Sequence, residues 1–433
     1  MSSAGGIVES GMPARVRILM IGIGGYGYWY LKTLLEECDP AAYELVGVVD
    51  PQPENSALLP AVHEAGIGVH ESVETFFNSG GAADLAVISS PIHFHVPQSI
   101  TCLEQGCHVL CDKPLGAAVQ EADDLIRARD ASDRWVSVGY QWSFSDAIRA
   151  LKADLMAGRW GRPLRAATLC LWPRGRDYYA RNDWAGRLRS GEGRWILDTP
   201  LNNAMAHFMH NLLYLLGPET ERSAEPVAVT AEMARAYEIE TADTVAARVE
   251  TAAGTELLFL GSHATGSEYP PVFRIECEKA VISYAGGREP VRAVTADGGE
   301  LDYGSPEESH QFTKLFRAIE WAGRRGVHPG QAGGRDGGQA GRAEVICPPE
   351  AARAQTLVVN GAHESVRAPV TVRSELVDRA PDGSRLWIRN LDEVFGRCYA
   401  EGRLPSESGP GDGIEWAQAG ERIDFTRYVL FSR

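Results

Sequence analysis

The sequence predicts an α/β protein, with an N-terminal doubly wound parallel sheet followed by an α+β domain built on a large, mostly antiparallel open sheet. Three observations carry that expectation. Apolar runs of strand length alternate with amphipathic stretches from Val16 to Tyr140. A glycine-rich turn sits between the first such run and the first helical pattern. Beyond Leu164 the chain changes to successive runs with period-two alternation.

In the first part, strand-like runs fall at Val16–Ile21, Leu45–Val49, Leu85–Ser89, Val109–Cys111 and Val136–Gly139. Helical patterns such as Val96–Gln105 and Ala118–Arg129 separate them. Nearly continuous apolar strands joined by helices imply a parallel sheet covered on both faces, with right-handed crossovers. In the second part, helical patterns at Ser145–Met156 and Ala204–Leu216 flank a strand at Leu164–Trp172. Alternating runs follow at Val227–Ala234, Thr244–Thr251, Thr255–Leu260, Val272–Cys277 and Ala280–Tyr284, which predicts a sheet with one covered face. The division is therefore expected at 14–140 and 141–433, with a glycine-rich surface insertion at 326–341 that lacks the Gly-Lys-Ser/Thr ending of a phosphate loop.

A chain of 433 residues with 44% hydrophobic and 23% charged residues reads as an ordinary globular protein of two domains. Its formal net charge of -16 argues against nucleic acid or an anionic membrane surface as partner. The eight cysteines are scattered without a CxxC pair, so no structural zinc is expected and the thiols read as buried in a reducing compartment. The first 13 residues show no basic stretch followed by an apolar one, and the run Ile18 to Ile23 is of strand length. The expected location is cytoplasmic.

Gly22-Ile23-Gly24-Gly25-Tyr26-Gly27 matches G-x-G-x-x-G. The first glycine permits the turn from strand to helix, the second lets backbone approach a pyrophosphate, and the third packs helix on strand. The phosphates would rest on the helix N-terminus, where free N–H groups favour anions. Asp50 ends the next strand, Leu45-Val46-Gly47-Val48-Val49, where a carboxylate binds ribose hydroxyls and repels a 2′-phosphate. No arginine follows in Pro51-Gln52-Pro53, so NAD is favoured over NADP. Lys113 lies just beyond a later strand of the same sheet, at the edge where such sheets present ligands, and is a candidate proton-transfer group beside a nicotinamide.

Together with Ser90-Pro91-Ile92-His93-Phe94-His95 and Gly106-Cys107-His108-Val109-Leu110-Cys111-Asp112-Lys113-Pro114, the fingerprint resembles the glucose–fructose oxidoreductase / inositol dehydrogenase (Gfo/Idh/MocA) family. Asp112 stands where that family usually has Glu before Lys-Pro, and Val138-Gly139-Tyr140-Gln141 resembles its crossing into the second domain. The resemblance runs from Val16 to Leu404-Pro405-Ser406-Glu407. It implies a Rossmann domain holding NAD through Gly22, Gly24, Gly25, Tyr26, Gly27, Asp50, Ser90, Pro91, His95, Asp112, Lys113 and Tyr140. It further implies Lys113 as acid/base, a sugar, inositol or polyol substrate bound between the domains, and a homodimer or homotetramer formed through the large sheet.

The family pairs an Asp with a His four residues on. Here Asn202-Asn203-Ala204-Met205-Ala206-His207-Phe208-Met209-His210 puts His207 at the histidine position and Asn203 at the aspartate position. Asn can orient a hydroxyl but cannot stabilise an imidazolium by charge. If that alignment is off, Asp198 is the candidate acid. His210 falls where a second acid is common; with His207 it lacks the further ligands a metal needs. Between these segments, Trp172 to Arg187 is dense in aromatics and arginines, a composition that suits either a sugar site or a subunit interface. Tyr179, Arg181 and Asn182 are its candidate substrate contacts.

The expected activity is NAD(H)-dependent hydride transfer at a secondary alcohol or ketone of a sugar-like compound, with Lys113, His207 and Asn203 as the catalytic group. Two other readings stay open: an NAD-assisted sugar lyase or glycosidase without net redox, and a dinucleotide-binding regulator that does no chemistry.

Overall fold

Val, Ile and Leu fill the first strands on both faces, which is the pattern of a sheet sandwiched between helix layers. In the computed structural model, which describes residues 15–324, 345–408, 416–428 and 430–432, those strands form a six-stranded parallel sheet. The expected glycine-rich insertion at 326–341 lies outside the described residues. The strands are β1 (Val16–Ile21), β2 (Tyr43–Val49), β3 (Val69–His70), β4 (Leu85–Ile88), β5 (His108–Cys111) and β6 (Val136–Val138). Their order is β3-β2-β1-β4-β5-β6, so the direction of winding reverses between β1 and β4. Ligands of such sheets bind beyond the strand ends at that reversal. β3 has only two residues, too few to register as an apolar run.

Downstream chain closes this sheet. The helix Thr313–Gly323 packs over β1, β4 and β5, and the helix Pro349–Ser365 packs on Val119–Ser132. Ser137 Oγ donates to Ile346 O at 2.6 Å, and Val138 N donates to Cys347 O at 2.8 Å.

The second sheet has ten strands: β7 (Pro163–Leu171), β8 (Pro226–Arg235), β9 (Thr244–Thr251), β10 (Glu256–Ser262), β11 (Tyr269–Cys277), β12 (Ala280–Tyr284), β13 (Arg292–Thr295), β14 (Glu300–Asp302), β15 (Val370–Thr371) and, in chain order after two strands described next, β18. The intervening pair, β16 (Val377–Arg379) and β17 (Leu386–Ile388), forms a separate hairpin, and β18 is Ile423–Asp424. Pairing is antiparallel except for β7 with β10 and β8 with β15.

The expectation of one covered face needs correction. Phe259, Leu257 and Val245 face the helix Ala206–Leu215 and the main core. Leu258, Leu260, Leu169 and Ala246 face the opposite way and are also buried, under β17 and the helix Leu391–Glu401. Phe395 is the large apolar plug of that second cluster and is fully buried. The chain's own C-terminal segment thus covers the outer face of the central strands. Among the described residues no helix is long and apolar enough to cross a membrane.

Candidate functional site

Backbone sterics build the first wall. Gly22 turns the chain after β1 at φ 79°, and a Cβ there would lie 2.8 Å from the backbone of Ser89 and Ser90. A Cβ on Gly27 would lie 2.1 Å from Gly22 O, so no larger residue lets this helix approach its strand. Gly24 and Gly25 differ: a Cβ on either meets nothing within 4 Å of protein. They form the open side of the turn. The helix Gly27–Glu36 has no side-chain cap at Tyr26; Gly27 N and Trp29 N donate to the carbonyls of Gly24 and Tyr26, and the positive end of the helix dipole favours an anion here. At the end of β2, Asp50 braces the turn, accepting from Ile23 N and Gln52 N at 2.9 Å each. Each carboxylate oxygen keeps acceptor capacity for a hydroxyl.

The ends of β4 and β5 form the floor. His95 is buried, and its Nδ1 and Nε2 lie 2.7 and 2.8 Å from the carbonyl oxygens of Pro114 and Ser90. One side chain thereby ties the two strand exits together. Asp112 is buried and ionised against a cation that sequence reasoning missed: Lys314 Nζ donates to its Oδ1 at 2.9 Å and to Gly139 O at 3.1 Å. Tyr30 OH donates to the same oxygen at 3.0 Å. Burial pushes the Asp112 carboxyl up, but Lys314 and Lys113 oppose it, and the net shift is downward. Lys113 projects beyond β5 and donates to Asn203 O at 2.9 Å. Burial lowers its pKa from the ordinary lysine value, Lys314 and Arg181 lower it further, and Asp112 and Asp198 act against them.

The second domain supplies the facing wall. Asn203 Nδ2 donates to Asp198 Oδ1 at 2.7 Å, and the other Asp198 oxygen accepts Gly186 N at 2.6 Å. Asp198 is 4% exposed, and burial raises its pKa. The carboxylate expected beside His207 is therefore present one layer back, holding the amide. His207 lines the cleft with its Nδ1 buried and unpartnered, and burial followed by the Lys113 charge pushes its pKa well below the ordinary value. It is a neutral imidazole at physiological pH.

Glycines 22, 24 and 25, Tyr26, Asp50, Ser90, Pro91, His95, Asp112, Lys113, Arg181, Asn182, Asn203 and His207 all line one cleft of about 1790 Å³. Gly27 stands behind it in its packing role. Two expectations, those for Tyr140 and Tyr179, need correction. Tyr140 is 1% exposed, stacks on His210 and donates to Gln355 Oε1 at 3.0 Å, so it belongs to the core. Tyr179 packs against Tyr237 with its hydroxyl buried; the neighbouring Tyr178 lines the cleft in its place. His210 sits 3.0 Å from Ser143 Oγ inside the core, its pKa pushed down to about 3 by burial and Lys152. Trp142, Trp172, Arg174, Phe208, Tyr284 and Arg288 are among the further lining residues and were not singled out. Among the described residues no group of three or more His, Cys, Asp or Glu could hold a metal ion.

The residues present fit a dinucleotide. The Gly24–Gly25 opening, the uncapped helix and the braced Asp50 lie at one end of the cleft, and Lys113 and His207 lie further along it. Fold and cleft together define a two-domain protein with a dinucleotide-binding first domain. Residues 16–140 match the model of the Gfo/Idh/MocA oxidoreductase family, an NAD-binding Rossmann fold. Inositol 2-dehydrogenase 1 of Mycolicibacterium vanbaalenii is 37% identical over 82 residues, covering 19% of this chain and 24% of that protein. Inositol 2-dehydrogenase of Burkholderia cenocepacia is 25% identical over 247 residues, 56% of this chain and 66% of that one. The first curated relatives are thus matched over less than half their length, from 24% to 44%. Among solved structures, the WlbA dehydrogenase of Chromobactrium violaceum, in complex with NADH and UDP-GlcNAcA, has the same fold. Its TM-score is 0.64 at 20% identity, covering 85% of this chain and 97% of that one.

Proposed function

We propose that the protein is an NAD(H)-dependent oxidoreductase that moves a hydride between nicotinamide and a secondary alcohol or ketone of a sugar, inositol or related polyol. The observation that carries this reading is the convergence, in one cleft, of the Lys113 amine and the neutral His207 imidazole with the glycine turn and Asp50. The matched inositol 2-dehydrogenases support the substrate class. The acidic residues Asp50, Glu71 and Glu74 around the nucleotide end of the cleft favour NAD over a cofactor with an added phosphate.

Gly24, Gly25 and the N-terminus of Gly27–Glu36 hold the pyrophosphate, and Asp50 holds the ribose hydroxyls. Bound NAD⁺ supplies the hydride acceptor. Lys113, whose pKa is lowered by burial and by the neighbouring Lys314 and Arg181, takes the hydroxyl proton at Nζ. His207, which stays uncharged, hydrogen-bonds the reacting oxygen. Asn203 holds the Lys113 amine through its carbonyl and is itself held by Asp198. Trp142, Trp172 and Phe208 exclude water and offer ring faces to the C–H side of a sugar.

The test is turnover of the purified protein with NAD⁺ over a panel of inositols, sugars and polyols, followed by the absorbance of the reduced nicotinamide. Substrate-dependent reduction is expected. NAD binding with no reduction across the panel contradicts the reading.

A further inference from the structure

Beyond its nucleotide end the cleft carries several guanidinium groups. Arg174, Arg181, Arg194 and Arg288 line it, with Asp112 and Glu307 as acids and Asp112 already paired with Lys314, in a chain whose formal net charge is -16. Glu307 is already engaged, accepting Trp142 Nε1 at 2.8 Å. Arg181 is engaged too: it donates to Tyr178 O and lies 3.9 Å from Asp198.

Arg174 is different. It follows β7 by three residues, and its backbone is pinned from both sides, with N donating to His263 O at 3.1 Å and O accepting Tyr237 OH at 2.6 Å. Its guanidinium lies against Trp172 and Tyr178, 5.9 and 5.3 Å from the ring centres. Those rings attract its charge but accept no in-plane hydrogen bond. No carboxylate of the described residues pairs with it, and its Nε is buried without a partner. A guanidinium has five donors and no acceptor, and its fork matches two coplanar oxygens. A guanidinium at the wall of a cleft, packed by two rings and without a carboxylate partner, suits an anion.

We propose that the substrate carries an anionic oxygen group, a carboxylate or a phosphate, and that Arg174 receives it. The proposal rests on the reading above only in placing the substrate in this cleft. Arg288 at the rim adds to the field that draws an anion in. Arg174 determines specificity and takes no part in proton transfer.

The test is binding to the NAD-loaded protein, read by quenching of the tryptophans that line the cleft. The ligands are matched sets: glucose, glucuronate and glucose 6-phosphate, and inositol beside an inositol monophosphate. At least one anionic member is expected to bind tenfold or more tighter than its neutral parent; whether the acid or the phosphate does so names the group. Arg174→Met should erase that preference and Arg174→Lys should restore part of it, with NAD affinity unchanged in both. Equal affinity of neutral and anionic members, or an anion preference that survives Arg174→Met, overturns the proposal. Should the Met variant fail to fold, the wild-type comparison still decides. Anion binding without hydride transfer would defeat the oxidoreductase reading alone. Turnover of neutral polyols without anion preference would defeat this proposal alone.

Discussion

Asn203 joins two buried ionisable groups: its carbonyl accepts Lys113 Nζ at 2.9 Å, and its side-chain amide donates to Asp198 Oδ1 at 2.7 Å. The carbonyl that Lys113 reaches is backbone and would be there with any residue; the side-chain amide adds a donor to Asp198 where an aspartate would offer only acceptors. The carboxylate stays near enough to act on Lys113 by charge.

Asn203→Asp would place two carboxylates in hydrogen-bond contact, and such a pair holds a shared proton more tightly than either group alone. Asp198 is already raised by burial, so the pair's upper pKa rises further. A folded-state pKa above the unfolded value gives stability that is present at low pH and lost as pH rises through the folded value. The variant should therefore melt near the wild type in mild acid and fall behind at neutral pH and above, by about 1–3 kcal/mol for a shift of roughly one to two units. NAD binding should be kept and the pH profile of turnover altered. Thermal melts and rate profiles that both coincide with the wild type would place Asn203 away from Asp198.

The glycines of the turn separate folding from binding. Gly24→Ala puts its methyl where no protein atom lies within 4 Å, so the fold should keep its Tm while NAD affinity drops tenfold or more, a loss of about 1.4 kcal/mol. Gly27→Ala drives a methyl against Gly22 O and should lower Tm as well. Calorimetric titration with NAD beside thermal melts checks both. Unchanged affinity in Gly24→Ala would remove the phosphates from this turn.

Lys314→Met would leave the Asp112 carboxylate buried without its countercharge, at a cost of about 3–5 kcal/mol. Asp112 has a lowered folded-state pKa, so its contribution is present above the ordinary carboxylate value and lost as pH falls through the folded one. The deficit of the variant should accordingly shrink in acid, where Asp112 takes a proton. Asp112→Asn combined with Lys314→Met should recover much of the loss. Denaturant melts at several pH values check this; a deficit independent of pH would assign it to packing alone.

Much of the nucleotide end was legible in the chain because its geometry is local: Gly22, Gly24 and Gly27 have roles set by spacing, and Asp50 and Lys113 follow strands whose ends share one edge. Lys314 could not be foreseen, since its partner lies 202 positions away and its helix reads as an ordinary amphipathic one. The link between Asp198 and Asn203 forms across irregular chain, where a separation of five carries no fixed geometry. Tyr178 and Tyr179 are neighbours on a short helix and point to different sides, which composition does not resolve. The second covered face of the large sheet was hidden because alternation marks only relative polarity, and Ala167 and Ala246 are apolar without being bulky.

Turnover by Lys113→Met tests the central claim most directly, measured with saturating NAD⁺ and the best substrate from the panel, across pH. Wild-type oxidation should rise with pH through a midpoint below the ordinary lysine value, since burial lowers the Lys113 pKa. The variant should bind NAD as before, lose that limb, and turn over about 10²–10⁴-fold more slowly. Full turnover with the same pH limb in Lys113→Met would contradict the account.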